Sequence, residues 1–351
     1  MKKFDFVIGN PPYQEETVGE NETYAPQLYY RFMDESYKVG KAVELIHPGR
    51  FLFNAGSTPK SWNQKMLHDK HFKIMEYNPD AKKYFNGIEI TGGIAISYYD
   101  ESEDFGEIGV FTPFNQLNTT YRKVISRQDF VSMESIVVTR TVYRLTDKLH
   151  EDYPDAISQL SKGHAYDMSS NIFERLPQVF YDEKPNDGCK YIRMLGRKNG
   201  NRAYMFLRRD YAKNVDNLDK YKIVLARADG AAGTVGNPVP ARIIGAPSIE
   251  PPGTGTTESF LSIGAFSTLG EAEAALKYNK SRFLRALVGI LKVTQDTTPE
   301  KWRFVPLQDF TPSSDIDWSA SVADIDQQLY KKYGLSQAEI DFIETHVKEM
   351  S

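Results

Sequence analysis

The stretch FDFVIGNPPYQ, Phe4 to Gln14, constrains this chain more than any other. It opens as a strand-like apolar run, and the run is stopped by Asn10 and two consecutive prolines. Proline locks its own φ and forces the residue before it into extended geometry, so Asn10 and Pro11 must present their carbonyl groups in set directions. Asn and Pro also serve simply to end a strand and reverse the chain. A turn alone does not explain the aromatic residue, Tyr13, that follows at once.

One kind of chemistry uses all four residue types together. The exocyclic amine of adenine is a poor nucleophile because its lone pair is delocalised into the ring, and no ordinary general base is strong enough to deprotonate it. If the side-chain carbonyl of Asn10 and the backbone carbonyl of Pro11 both accept from the amino hydrogens, the nitrogen is favoured in a pyramidal form. Its localised lone pair can then attack an activated methyl group in line. Such catalysis rests on orientation and fixed dipoles, and Pro12 supplies stiffness. A base flipped out of a duplex loses its stacking, and the face of Tyr13 can return about 1–3 kcal/mol.

These residues resemble the catalytic motif of the amino-methylating DNA methyltransferases, in particular the adenine-specific enzymes of bacterial restriction–modification systems: "NPPY" after a "DFVIG"-type strand. The resemblance implies that Asn10 and Pro11 accept from the amine, that Pro12 stiffens the corner and that Tyr13 is the stacking platform. It implies S-adenosylmethionine as methyl donor, with Asn10 near it, and double-stranded DNA as partner. "FNGIEITGGIAISYYD", Phe85 to Asp100, resembles a late strand whose aromatic sandwiches the flipped base from its other side. Ser97 falls close to the expected position, which leaves Tyr98 as the base-stacking candidate or as a plain strand tyrosine.

The fold class expected is α/β: a partial Rossmann-like methyltransferase sheet, then an α+β target-recognition domain and a short helical tail. "APQLYYRFMDESYKVGK" has Leu28, Phe32 and Tyr37 near helical spacing and precedes the apolar run "AVELIHP", which gives strand, helix, strand. The boundaries expected are 1–150 for the carboxy-terminal half of a catalytic domain, 151–310 for target recognition and 311–351 for the tail. Residues 101–150 read as loops around short strands, and "STLGEAEAALKYNKSRFLRALVGILK" reads as one helix. In the tail, Gly334 stops one helix, and Ser336 with Glu339 forms a capping box for the next.

A net charge of −4 is unusual for a nucleic-acid binder, but the charge is segregated. Between Lys190 and Arg227 there are 11 Lys or Arg against 3 Asp, a local balance of +8, whereas Ser313 to Ser351 carries 8 acids and 3 lysines, or −5. Aromatic residues interleave the basic run, and "GRKNGN" reads as the turn of a hairpin. Arg193, Arg197, Lys198, Arg202, Arg208 and Arg209 are the DNA-contact candidates, with Arg282 and Arg285 on the later helix; a solvated hairpin and a solvated helix face are the plain alternatives.

The single cysteine, Cys189, excludes an intrachain disulfide and a cysteine-based zinc site, and no run of 18 apolar residues exists. A reducing cytoplasm and no membrane are expected. The family's glycine-rich donor loop lies well ahead of "NPPY", where only nine residues precede Asn10. An upstream segment or a second subunit is therefore expected to supply it. The best internal substitute, "YKIVLARADGAAGTVGNPVP", lacks the acid and the glycine spacing, and Pro238 and Pro240 stop the helix that should follow. Two other readings stand beside the methyltransferase: a non-catalytic DNA-recognition subunit, and a restriction endonuclease component using Asp155, Asp182 and Lys184.

Overall fold

The computed structural model describes residues 3–15, 26–54, 57–85, 90, 92–292 and 294–350. They form two compact units, 1–118 and 119–351. Neither expected boundary coincides with this division. Residues 137–138 pair with a strand near 262, and the helical tail packs on earlier helices of the same unit, so both belong to the second unit. No helix among the described residues is long and apolar enough to cross a membrane.

The first unit is built on a mixed four-stranded sheet. Strand β1 (Phe4–Gly9) leads through helix α1 (Tyr29–Val39) to β2 (Gly40–Pro48), and the two strands pair in parallel with Gly9 opposite Leu45. This is the expected strand–helix–strand unit. Helix α2 (Lys60–Leu67), strand β3 (Phe72–Asn78) and strand β4 (Ile94–Asp100) follow, and the order across the sheet is β1-β2-β4-β3, with β4 antiparallel to both its neighbours. Tyr29 and Met33 of α1, Trp62 and Met66 of α2, and Val43 and Leu45 of β2 form the core on one face of the sheet. Gly40 makes the α1–β2 junction possible: a Cβ there would lie 2.7 Å from Val7 Cγ2.

Helix α3 (Asn115–Ile125) occupies a stretch that reads as loop in the sequence. Leu117, Tyr121 and Val124 recur at helical spacing and are buried, a stripe too short to stand out beside "TPFNQLNTT".

The second unit contains two four-stranded sheets. After β5 (Val137–Val138) come three short helices, α4 (Asp147–Asp152), α5 (Ala156–Gln159) and α6 (Ile172–Arg175), then β6 (Phe180–Tyr181). Strands β7 (Tyr191–Lys198) and β8 (Asn201–Arg208) form the expected hairpin, closed at Asn199 and Gly200, both with positive φ (51° and 78°) as a two-residue turn requires. They sit in the order β11-β7-β8-β6, and β9 (Tyr221–Ala226), β10 (Ser248–Glu250) and β12 (Phe260–Phe266) in the order β10-β9-β12-β5, with β11 at Thr254–Thr256.

The long helix expected near residue 280 is two helices, α7 (Leu269–Lys280) and α8 (Arg282–Leu291). Ser281 leaves helical geometry and caps α8 through its hydroxyl. The buried carboxylate of Asp326, on α9 (Val322–Lys332), accepts the N–H groups of Arg282 and Phe283 at 3.0 and 2.9 Å. A cap supplied from 44 residues away is invisible to local periodicity. The last helix, α10 (Gln337–His346), opens with the Ser336–Glu339 capping box, and Gly334 has φ 62° beyond the end of α9.

His47 ties β2 to β4 at the centre of the first core. It is fully buried, its ring lies parallel to that of Tyr29 at 5.9 Å, Nε2 meets Ser97 Oγ at 2.8 Å, and Nδ1 meets the Pro48 carbonyl at 3.1 Å. Nδ1–H therefore donates to the carbonyl and Nε2 accepts from the hydroxyl. Burial pushes the ring pKa down to about 4, against the opposing bond to Pro48. An unfolded chain takes up this proton near pH 6.5 and the folded chain does not, so the stabilisation is complete above that pH and is lost as pH falls toward 4. The shift is worth roughly 3 kcal/mol. Urea unfolding followed by Trp62 emission is expected to show this loss between pH 6.5 and 4, and His47→Gln is expected to flatten it.

Candidate active site

Three features of the first unit fix the Asn10–Tyr13 corner. The parallel pairing of β1 with β2 carries the chain to Gly9, so Asn10 emerges at the carboxyl end of a strand. Pro11 is buried, while Asn10 and Pro12 are exposed. Beyond the prolines, residues 13–15 lie antiparallel to 26–28: Leu28 N–H donates to the Tyr13 carbonyl at 2.9 Å, Glu15 N–H donates to the Pro26 carbonyl at 2.9 Å, and Arg31 pairs with Glu15 at 3.3 Å.

The Asn10 side chain makes no hydrogen bond to another described residue, so both its amide groups are open to a ligand. The Tyr13 ring is half-buried and packs on the first core, and Phe85 approaches it edge-on at 6.3 Å. Burial pushes the Tyr13 hydroxyl up to about 12, and its oxygen is enclosed with no hydrogen-bond partner among the described residues. Phe85 closes the quoted late-strand stretch on its near side, and residues 86–89 and 91 of that stretch lie outside the described residues.

Tyr98 is not brought to this corner. It shares a row of the sheet with Glu44 and, across β2, with Ile8. Its neighbour Tyr99 points into the core and stacks on Tyr37 at 4.3 Å, so by strand alternation Tyr98 faces the other way. There Lys73 Nζ lies 5.2 Å from its ring centroid and Phe105 meets it edge-on at 5.9 Å. Ser97 at the neighbouring position is consumed by His47.

The outer face of β1 is unusually bare. Phe4, Phe6 and Ile8 are 55%, 72% and 79% exposed, while Val7 on the opposite face packs into the core. Among the described residues β1 pairs only with β2, leaving its outer edge free.

The cationic segment is more neutral in space than in sequence. Arg193 and Arg202 both meet the buried carboxylate of Glu250, Lys198 pairs with Asp182, Arg208 with Asp210 and Asp152, and Arg209 with Asp219. Glu250, Asp182 and Asp152 all come from outside the 190–227 window, so a local count cannot see them. Arg197, by contrast, is exposed and donates to the Gly200 carbonyl at 2.9 Å.

The helix arginines stand as corrections. Arg285 is fully buried and donates to the carbonyls of Lys280, Ser281 and Arg242, so it does not present a charge to DNA. Arg282, only 14% exposed, clamps α8 to the chain end through Glu344 at 2.6 Å and Glu349 at 3.2 Å.

For a metal, no cluster of three or more His, Cys, Asp or Glu exists among the described residues. Asp182 is held by Lys198. The glycine stretch after β9 enters only a single 3-10 turn at Gly230–Ala232, and no α-helix begins there to receive an anionic or nucleotide group.

One change at Tyr13 separates its ring from its hydroxyl. Tyr13→Phe removes a buried, unpaired hydroxyl and is expected to leave urea stability unchanged or raise it by up to about 1 kcal/mol. A loss larger than that would show that the hydroxyl has a partner.

One comparison with known proteins, a family model, covers the same corner. The search of functionally curated proteins found no match. Among solved structures, the type IIG restriction endonuclease BpuSI is similar at 9% identity and a TM-score of 0.34, over 97% of this chain and 54% of that one, so this chain spans about half of that protein's length. Residues 1–85, which hold β1, the Asn10–Tyr13 corner and the β1–α1–β2 unit, match the Eco57I restriction-modification methylase family.

Proposed function

We propose that this chain is the base-accepting part of a site-specific DNA methyltransferase that modifies the exocyclic amine of a flipped adenine within a restriction–modification system. The observation that carries the reading is the Asn10–Tyr13 corner: an open amide on a proline-locked turn, at the carboxyl end of a strand, inside the segment that matches the methylase family. In this reading the Asn10 side-chain carbonyl and the Pro11 carbonyl accept from the amine and localise its lone pair. Pro12 keeps them in register, and the ring of Tyr13 bears the base. Adenine is favoured over cytosine by the motif resemblance. Tyr98, on the other face, is the weaker stacking candidate, and Phe85 is the aromatic nearer to Tyr13.

When bound, S-adenosylmethionine supplies the methyl group. The described residues fit the acceptor side of that reaction and not the donor side, since the glycine stretch after β9 opens no α-helix among them. The second part of the proposal is that a strand-bearing donor segment, from upstream sequence or a second subunit, pairs with the free edge of β1 and covers Phe4, Phe6 and Ile8. Complete burial of three such side chains is worth roughly 1.5–3 kcal/mol each. A long apolar edge strand is otherwise an aggregation hazard that proteins blunt with charge or cover.

Three measurements test these statements. Calorimetry with S-adenosylmethionine is expected to show binding weaker than about 1 mM for the chain alone; tight binding would place the donor site here and overturn the second part. Phe6→Ser with Ile8→Ser is expected to leave folding of this chain within about 0.5 kcal/mol, because both side chains are exposed, yet to abolish co-purification with the polypeptide encoded immediately upstream. In the completed enzyme, Asn10→Ala should lower methyl transfer at least about 10²–10³-fold with little change in duplex affinity. An equal fall in affinity would assign Asn10 to binding instead.

A further inference from the structure

Strand β2 runs three residues beyond Leu45, the partner of Gly9, and so carries the chain about 10 Å past the end of the β1 ladder. Gly49 and a 3-10 turn, Arg50–Phe53, follow at once. Because β1 and β2 are parallel, this turn and the Asn10–Tyr13 corner share one edge of the sheet.

The turn is firmly seated. Phe51 and Leu52 are buried in the first core, Gly49 N–H donates to the Gly93 carbonyl at 2.9 Å, and Asn54 N–H donates to the Phe51 carbonyl at 2.8 Å. The stem of Arg50 lies over Gly92, which has φ 89° and where a Cβ would collide with Arg50 Cγ. Tyr77 fixes Gly92 in turn, its hydroxyl donating to the Gly92 carbonyl at 3.2 Å.

The other end of Arg50 is open. The residue is exposed and makes no hydrogen bond or ion pair with another described residue, whereas Arg31, Lys38, Lys41 and Lys65 of the same unit each meet a carboxylate. An exposed arginine is ordinarily a solvated one. This one combines a seated stem with an unpaired guanidinium at the edge that carries Asn10.

Tyr29 links it to the corner. Its N–H donates to the Tyr13 carbonyl at 3.5 Å, and its ring lies 6.4 Å from that of Phe51, the residue after Arg50. Burial pushes the Tyr29 hydroxyl up, while its bond with Thr58 and the charge of Arg50 pull the other way. The guanidinium therefore stands within electrostatic reach of a side chain whose backbone is fastened to the corner.

When a base leaves the stack, its nucleotide turns about the backbone, so the flanking phosphates stay with the strand at the mouth of the pocket the base enters. A seated guanidinium there can take two phosphate oxygens at once. We infer that Arg50 grips a phosphate beside the extruded nucleotide and holds it out of the duplex while its base occupies the Asn10–Tyr13 corner. The inference rests on the proposed base-accepting function and names the residue that holds the backbone.

Two duplexes of one arbitrary sequence test this without methyl transfer, one fully paired and one carrying a single bulged 2-aminopurine, whose base is already unpaired and costs least to extrude. Fluorescence anisotropy with the full chain is expected to show tighter binding to the bulged duplex. Arg50→Ala should weaken that binding about tenfold and lower its salt slope by about 1, with urea unfolding unchanged. Arg50→Lys should restore the slope and part of the affinity. Lys70, exposed and just ahead of β3, lies at the opposite edge of the sheet because β3 runs in the direction of β2, and Lys70→Ala should change neither quantity.

Four results would overturn the inference: an Arg50→Ala chain that keeps its full preference for the bulge, one that loses affinity equally for both duplexes, an Arg50→Lys chain as weak as the alanine variant in both affinity and slope, or an equal loss in the Lys70 variant. Failure of the base-accepting function has a different mark, since the unaltered chain would then bind bulged and paired duplexes alike. A bulge preference that survives Arg50→Ala removes Arg50 alone and leaves that function standing.

Discussion

The hydrogen bond from Leu28 N–H to the Tyr13 carbonyl decides what the first unit can do. It fastens the far side of the proline corner to the chain just before the first turn of α1, and α1 is the crossover that sets β1 parallel to β2. One helix thereby locates both ends of the corner. The near end is held by the ladder up to Gly9, the far end by the 13–15 and 26–28 clasp, and the two prolines between leave few torsions free. A site on such supports is held far more closely than one on an open loop, and the role proposed for the Asn10 amide, orienting a lone pair, needs that closeness.

Much of this was legible in the residues because it is local. The β1–α1–β2 unit follows from an apolar run, a helical stripe and a second apolar run, the hairpin from Asn199-Gly200, and the last helix from Ser336 and Glu339. What escaped was set at a distance. The break between α7 and α8 depends on Asp326 reaching back to the N–H groups of residues 282 and 283, and the division near residue 118 depends on β5 joining β12. Arg285 read as a DNA-contact candidate or part of a solvated face because the apolar character of α8 said only that part of it was buried, not which carbonyls would converge on the guanidinium.

The basic segment shows the same limit for charge. A balance of +8 along 38 residues is a property of the chain, whereas a field is a property of the surface, and folding brought Glu250, Asp182 and Asp152 among those cations. The buried carboxylate of Glu250 does not simply cancel charge. Flanked by two arginines and a tyrosine hydroxyl it is strongly compensated, and it trades their freedom for fixed direction.

The bare face of β1 joins these halves of the argument. Phe4, Phe6 and Ile8 have the composition of a strand covered on both sides, yet only the Val7 side is covered. Edge strands of stable sheets commonly carry charge or distortion; here the charge in β1 is Asp5, paired with Lys41, beside two bare rings. Asn10 stands at the end of that strand, between a core that holds the Tyr13 ring and an edge that no other described strand pairs. In the proposed enzyme the base belongs to the first side and the methyl donor to the second. The residue that must touch both is then the one the fold leaves exposed on their boundary.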